Sequence, residues 1–211
     1  MMIASVLHLT RSDVKALKIT DAYSLHRIVY NLFDDIRSNE EKQKSVPSGI
    51  LYADKGGDFH GRKILMLSNR APNPTEHGEL CIKKITDSFL DHPHYRFEVV
   101  VNPSKREKLN RNETGKKVSG KIVALRKRED IAAWFIEKAP QWGFAVSQEH
   151  LEVVNITVKQ FEKNGQTITQ GQAKLIGRLT VTDKAKFVQS FQNGIGRGRA
   201  FGCGLLQIIP C

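Results

Sequence analysis

Taken only as apolar and polar positions, the first half of the chain switches between the two periods that separate strands from helices. Ile3, Val6, Leu7 and Leu9 give residues 2–10 the apolar, β-branched surface of a strand. Over residues 20–36, Ala22, Leu25, Ile28, Val29, Leu32, Phe33 and Ile36 recur at three- and four-residue steps, which predicts an amphipathic helix with Thr20 or Asp21 as its N-cap. Tyr23, His26, Arg27 and Tyr30 fall on the opposite side, spaced so that neighbours along the stripe touch. Strands follow at 50–53 and 63–67, with Lys55-Gly56-Gly57-Asp58 as the hairpin connection between them. Residues 70–78, with Pro72 and Pro74, read as a loop, and 83–90 as a short helix. Residues 95–101 (YRFEVVV) form a strand closed by Asn102-Pro103.

The second half repeats the order. Residues 117–125 alternate enough to open a second unit with a strand, and residues 129–142 carry apolar positions at Ile131, Trp134, Phe135 and Ala139 on a helix. Trp134 and Phe135 read as core rather than as base-stacking platforms. Residues 152–162 and 170–182 are partner strands around the Asn164-Gly165 turn. Asp183 caps a helix that turns Phe187, Val188 and Phe191 inward, and residues 205–209 make a last strand. The predicted fold is α+β: two tandem ferredoxin-like, RRM-like β-α-β-β-α-β domains at 1–103 and 117–211, joined by a basic linker at 104–116. No residue-level repeat is visible, so the duplication rests on element order alone.

Charge narrows the function. The 211 residues carry 33 Lys and Arg against 22 Asp and Glu, a net +11. Such a balance points to a polyanionic partner, above all nucleic acid. The excess is concentrated: Lys105, Arg106, Lys108, Arg111, Lys116, Lys117, Lys121, Arg126, Lys127 and Arg128 are opposed only by Glu107 and Glu113. An evenly mixed linker would solvate as well, so this segment reads as contacting phosphate. A second basic feature is NGIGRGRAFGCGL at 193–205, where Gly194, Gly196, Gly198, Gly202 and Gly204 let backbone N–H groups approach phosphate beside Arg197 and Arg199. It is not a dinucleotide fingerprint, because a helix precedes it and no βα unit follows.

Other classes fit poorly. Cys81, Cys203 and Cys211 lack C-x-x-C spacing and suggest neither a disulfide framework nor a zinc site. His92-Pro93-His94 is too sparse for a metal site, so no metal and no small-molecule cofactor is expected. No G-x-S-x-G or H-E-x-x-H pattern occurs. The N-terminal residues lack the make-up of a secretory signal and no apolar run spans a bilayer, so a soluble, cytoplasmic protein without a membrane partner is expected.

The Y-x-x-H-R run at Tyr23, His26 and Arg27, the near-terminal GIGRGRAFGCGLL from Gly194 to Leu206, and the element order together resemble the CasE-type CRISPR-associated repeat-RNA processing endoribonucleases of the RAMP superfamily. The resemblance covers essentially the whole chain. It implies two tandem ferredoxin-like domains and metal-free cutting of the repeat stem-loop in precursor CRISPR RNA. The product is expected to stay bound with other Cascade subunits as partners. It makes His26, Tyr23 and Arg27 the catalytic candidates. The RNA contacts then fall to Lys105, Arg106, Lys108, Arg111, Lys116, Lys117, Lys121, Arg126 and the glycine stretch with Arg197 and Arg199. Some relatives carry a further basic residue where this chain has Asn31, and a Lys or Arg from the second domain is the expected substitute. The residues alone leave His26 open as general acid or base. They also leave open a non-catalytic stem-loop-binding module, or a DNA-binding protein, with the same charge and fold.

Overall fold

The computed structural model describes residues 2–44, 46–106, 120–163 and 165–211. In chain order its elements are β1 (Met2–Leu9), α1 (Arg11–Ala16), α2 (Ala22–Asn31), α3 (Asn39–Gln43), β2 (Ile50–Gly57), β3 (Arg62–Ser68) and β4 (Glu79–Ile85). They continue with β5 (His94–Val101), β6 (Ser104–Arg106), β7 (Ile122–Ala124), α4 (Arg128–Lys138), β8 (Phe144–Ala145), β9 (Leu151–Lys163), β10 (Gln166–Val181), α5 (Lys184–Asn193) and β11 (Gln207–Pro210). This is a mixed α/β fold with antiparallel sheets. Among the described residues, no helix is long and apolar enough to cross a membrane.

The first sheet runs β2-β3-β1-β4, with every neighbouring pair antiparallel. Side chains alternate across it as strand geometry requires. Leu7, Leu9, Ile50, Tyr52, Ile64 and Met66 face α2 and pack on Leu25, Val29, Leu32 and Phe33. Met2, Leu51, Ala53 and Leu67 point the other way, into a second cluster that includes Leu205, Leu206 and Ile208. The two faces of one sheet thus serve two cores, and the second face joins the halves of the molecule.

The second sheet runs β11-β5-β10-β8, with β9 also paired to β10. Tyr95, Phe97, Val99 and Val101 of β5 pack against Ile131 and Phe135 of α4 and Phe187 and Phe191 of α5. Burying each such side chain stabilises the fold by roughly 1.5–3 kcal/mol. The β9–β10 hairpin closes as its turn residues predict, Lys163 pairing with Gln166. At the seam, Lys55 Nζ donates to Glu98 Oε1 at 2.5 Å and to Gln207 Oε1 at 3.0 Å. Lys174 lies 3.1 Å from Glu98 on the other side.

Several expectations need correction. Residues 95–101 do not close the first unit; as β5 they sit inside the second sheet, between β10 and β11, so a first domain of 1–103 contains a strand of the other sheet. The fourth strand of the first sheet is β4, whose last three residues, 83–85, take up the start of the helix expected at 83–90. There an open edge of β1 offers backbone partners from Met2 to His8, and this tertiary pairing overrides a weak local helical pattern. Only Asp87–Leu90 remains as a 3₁₀ turn. Of the strand expected at 117–125, residues 117–119 lie outside the described residues, and Ile122–Ala124 form β7, which pairs with β6 in a separate two-stranded ribbon. The helix predicted over 20–36 stops at Asn31, and Ile36 is exposed rather than core.

Candidate active site and nucleic-acid interface

Asp21 begins α2 with a capping box: its carboxylate accepts from Ser24 N–H at 2.7 Å while Ser24 Oγ accepts from Asp21 N–H at 3.0 Å. The helix buries Leu25 and Val29 and leaves Tyr23, His26 and Tyr30 half-buried along its other side. The His26 ring lies 6.0 Å from Tyr23, nearly parallel, and 4.1 Å from Tyr30. Arg27 is exposed, its guanidinium 5.6 Å above the Tyr23 ring. This stripe does not open straight onto solvent. Phe201, from the 3₁₀ turn Arg199–Phe201 in the glycine stretch, stands over it with ring centres 5.5 Å apart.

The glycines do more packing than phosphate approach. Gly194, Gly198 and Gly202 have φ near +75° to +79°, a region L side chains rarely enter. A Cβ at Gly198 would lie 2.1 Å from the Gln170 amide nitrogen, and one at Gly202 would lie 3.2 Å from the Tyr52 ring. Gly194 is pressed against Leu51, while Gly196 and the exposed Arg197 face open space. Arg199 folds back to donate to the Asn193 carbonyl at 2.8 Å. The stretch is therefore a wedge between the two sheets, in which Gly196 and Arg197 face solvent and Gly198 and Arg199 border a cleft.

The wedge orients the histidine. Nδ1 of His26 is 2.7 Å from the Ala200 carbonyl oxygen. A carbonyl only accepts, so Nδ1 carries the proton, and Nε2 is left without a protein partner among the described residues. Burial pulls the His26 pKa below its ordinary value, the Ala200 hydrogen bond opposes that shift, and the charge of Lys163 adds to the lowering. The lowering favours the uncharged imidazole, whose lone pair then sits on Nε2.

Beside it opens a cleft of about 580 Å³. His26, Tyr30, Ser48 and Phe201 line it together with Arg37, Lys42, Lys163 and Arg199; among the described residues no carboxylate lines it, and Asp35 behind it pairs with Arg37 and Lys42. Tyr23 and Arg27 lie outside this lining, farther along α2. Lys163 ends β9 with its ammonium 5.8 Å from the Phe201 ring. It is a basic residue from the second sheet close enough to His26 to act on its charge. Sequence reasoning missed Lys163, Arg37 and Lys42, because nothing in the spacing of residues 37, 42 and 163 ties them to residue 26.

Of the basic segment, Lys105 and Arg106 lie on β6, and Lys121 and Arg126 flank β7, all four exposed. Arg106 donates to the Gly120 carbonyl at 3.0 Å. Lys108, Arg111, Lys116 and Lys117 fall outside the described residues. The root of the ribbon lies beside the wedge, since Asn102 is 3.5 Å from where a Gly198 Cβ would sit.

Comparison with known proteins bears on this geometry. A family model described as CRISPR associated protein matches residues 2–210. Over 125 residues the chain is 31% identical to the CRISPR-associated endoribonuclease Cse3 of Thermus thermophilus. That match spans 54% of this chain and 55% of the relative, about half its length. Over 194 residues it is 25% identical to the CRISPR system Cascade subunit CasE of Escherichia coli, covering 90% of this chain and 92% of the relative. Among solved structures, CRISPR endoribonuclease Cse3 bound to 19 nt RNA superposes with a TM-score of 0.77 at 20% identity over 99% of both chains. The crystal structure of Cas6e from Escherichia coli gives 0.70 at 20% identity over the full length of both. At these identities the superpositions establish a shared fold.

Proposed function

The chain belongs to the CRISPR-associated protein family, and from that premise we propose that it is an endoribonuclease that cuts the repeat stem-loop of precursor CRISPR RNA. It is a cytoplasmic protein and stays on the mature guide RNA within a Cascade-type complex. The two sheets support a reading as tandem ferredoxin-like units, one through Leu90 and one from Asp91. Each runs fourth strand, first, third, second. The first unit lacks its second helix, residues 69–78 forming an irregular connection instead.

One observation carries the enzymatic reading: an imidazole fixed by a carbonyl at Nδ1, beside a cleft whose charged lining, among the described residues, is cationic. RNA carries its own nucleophile, so the protein must align the 2′-OH, move protons and stabilise the phosphorane. His26 Nε2 takes the 2′-OH proton as oxygen attacks phosphorus. The P–O5′ bond breaks, and the leaving oxygen takes a proton from solvent water to give a 5′-OH opposite a 2′,3′-cyclic phosphate, while the imidazolium of His26 later returns its proton to solvent. Burial that holds the His26 pKa below its ordinary value enlarges the unprotonated fraction that a base requires. Lys163 supplies charge for the phosphorane, and Tyr23 and Arg27 steady the strand that continues along α2. Aromatic and basic groups, rather than carboxylates, surround the imidazole, which suits a reaction run without metal.

The test is a labelled repeat stem-loop incubated with purified protein in EDTA. Cutting is expected, and a 2′-deoxy nucleotide just upstream of the cut should block it. No cutting with binding retained would leave a stem-loop-binding module, and cutting through the deoxy position would exclude 2′-OH attack. Rescue of His26→Ala by a 5′-thio leaving group would make His26 the acid instead.

A further inference from the structure

The carbonyl that holds His26 is itself held. Tyr52 of β2 donates its hydroxyl to the same Ala200 oxygen at 3.2 Å. Its ring is almost wholly buried in the core beneath α2, next to Gly202. One oxygen from the second unit therefore receives two donors from the first, a phenol from the sheet and an imidazole from the helix above it. The next carbonyl, that of Phe201, accepts from Gln172 of β10 at 3.2 Å. Consecutive carbonyls of one turn are thus pinned by donors from different units.

We propose that Tyr52 is a positioning residue for the cleavage reaction: its hydroxyl fixes the Ala200 carbonyl so that His26 keeps the Nδ1–H tautomer and offers Nε2 to the RNA. A carbonyl in a glycine-rich turn can tilt with its peptide plane, and the single imidazole N–H of His26 is one hydrogen bond against that tilt. A second donor from a sheet strengthens that hold, because the β2 backbone is locked by its ladder to β3. The clamp also couples chemistry to assembly, since His26 is aligned only when the second unit's turn is docked against β2. This rests on His26 acting as proposed above.

Tyr52→Phe removes only the hydroxyl and keeps the ring. Single-turnover cleavage at saturating RNA is expected to fall about tenfold, within the range of a mispositioned catalytic group, with RNA affinity unchanged. Imidazole ¹⁵N shifts of His26 should move from the Nδ1–H pattern toward a mixture of tautomers. An unchanged rate together with an unchanged tautomer would overturn the proposal. In the unaltered protein, the Tyr52 hydroxyl and His26 Hδ1 protons should give a cross-peak in a proton NMR spectrum; its absence overturns the proposal whether or not the variant folds. His26→Ala, run alongside, separates the two ideas. If that variant still cuts RNA, the catalytic reading fails; if it is dead while Tyr52→Phe is fully active, only the clamp fails.

Discussion

A histidine whose proton is committed to a backbone carbonyl has one nitrogen left for chemistry, and His26 meets that condition through Ala200. Replacing it with alanine should lower the single-turnover cleavage rate by about 10²–10⁴-fold, the usual worth of a general acid or base, while RNA affinity changes little. Burial depresses its pKa first, the Ala200 hydrogen bond partly offsets this, and Lys163 depresses it further. An NMR titration of the RNA-free protein should therefore place His26 below the ordinary value of about 6.5. Lys163→Met should move that midpoint upward, because a like charge has been removed. The sign for stability follows: the unfolded chain binds this proton more readily than the folded one. The His26 contribution is therefore complete above about pH 6.5 and is lost as pH falls through the folded midpoint.

At the scale of elements, the glycine wedge ties α2 to the second sheet, and its glycines are not equivalent. Gly198 combines a φ of +77° with a Cβ position 2.1 Å from the buried Gln170, whose amide also reaches Cys203 Sγ at 3.5 Å and so has little room to swing away. Gly198→Ala should cost about 1–3 kcal/mol of strain, seen as a lower Tm. It should also reduce cleavage more than binding, because Ala200 shifts. Gly196→Ala meets nothing within 4 Å and carries only its φ of +70°. The backbone alone then costs about 1–2 kcal/mol, without the clash met at Gly198, and cleavage stays nearly intact. Equal effects at the two positions, in thermal melts and cleavage assays, would count against the wedge.

For the whole molecule, what matters is how the two sheets are held together and how charge is spread over them. Glu98 sits in the seam between Lys55 and Lys174. Burial resists its ionisation, but the two lysines outweigh that and keep its pKa below the usual carboxylate range. Its contribution is thus present above the unfolded carboxylate pKa and disappears as pH falls through the lower, folded value. Glu98→Gln should lower Tm at pH 6 and shrink the difference in Tm between pH 6 and pH 3. The net +11 should give RNA binding a steep salt dependence, and the exposed Arg197, if it touches one phosphate, should account for about 0.7–0.9 of the log–log slope. Affinity of Arg197→Ala measured across a salt series checks this.

The sequence by itself determined the elements whose apolar period is long or strongly alternating: α2 around Leu25 and Val29, α4 around Ile131 and Phe135, β5 with its buried Tyr95, Phe97 and Val99, and the hairpin that turns at Gly165. It also determined that a basic chain with Tyr23, His26 and Arg27 on one helix resembles an RNA-cutting family, because those residue types at that spacing are local facts. Tertiary structure alone decided which sheet each strand joined, turning residues 94–101 into the middle of the second sheet and residues 79–85 into the edge of the first. Strand pairing is a long-range choice, made by which edge stands open, and no local period records it. The same holds for the site: Lys163, Phe201, Ala200 and Tyr52 reach His26 from 26 to 175 positions away. What brings them together is the burial of one face of β2 and β3 against the segment leading into β11, a contact between apolar residues that carries the chemistry with it.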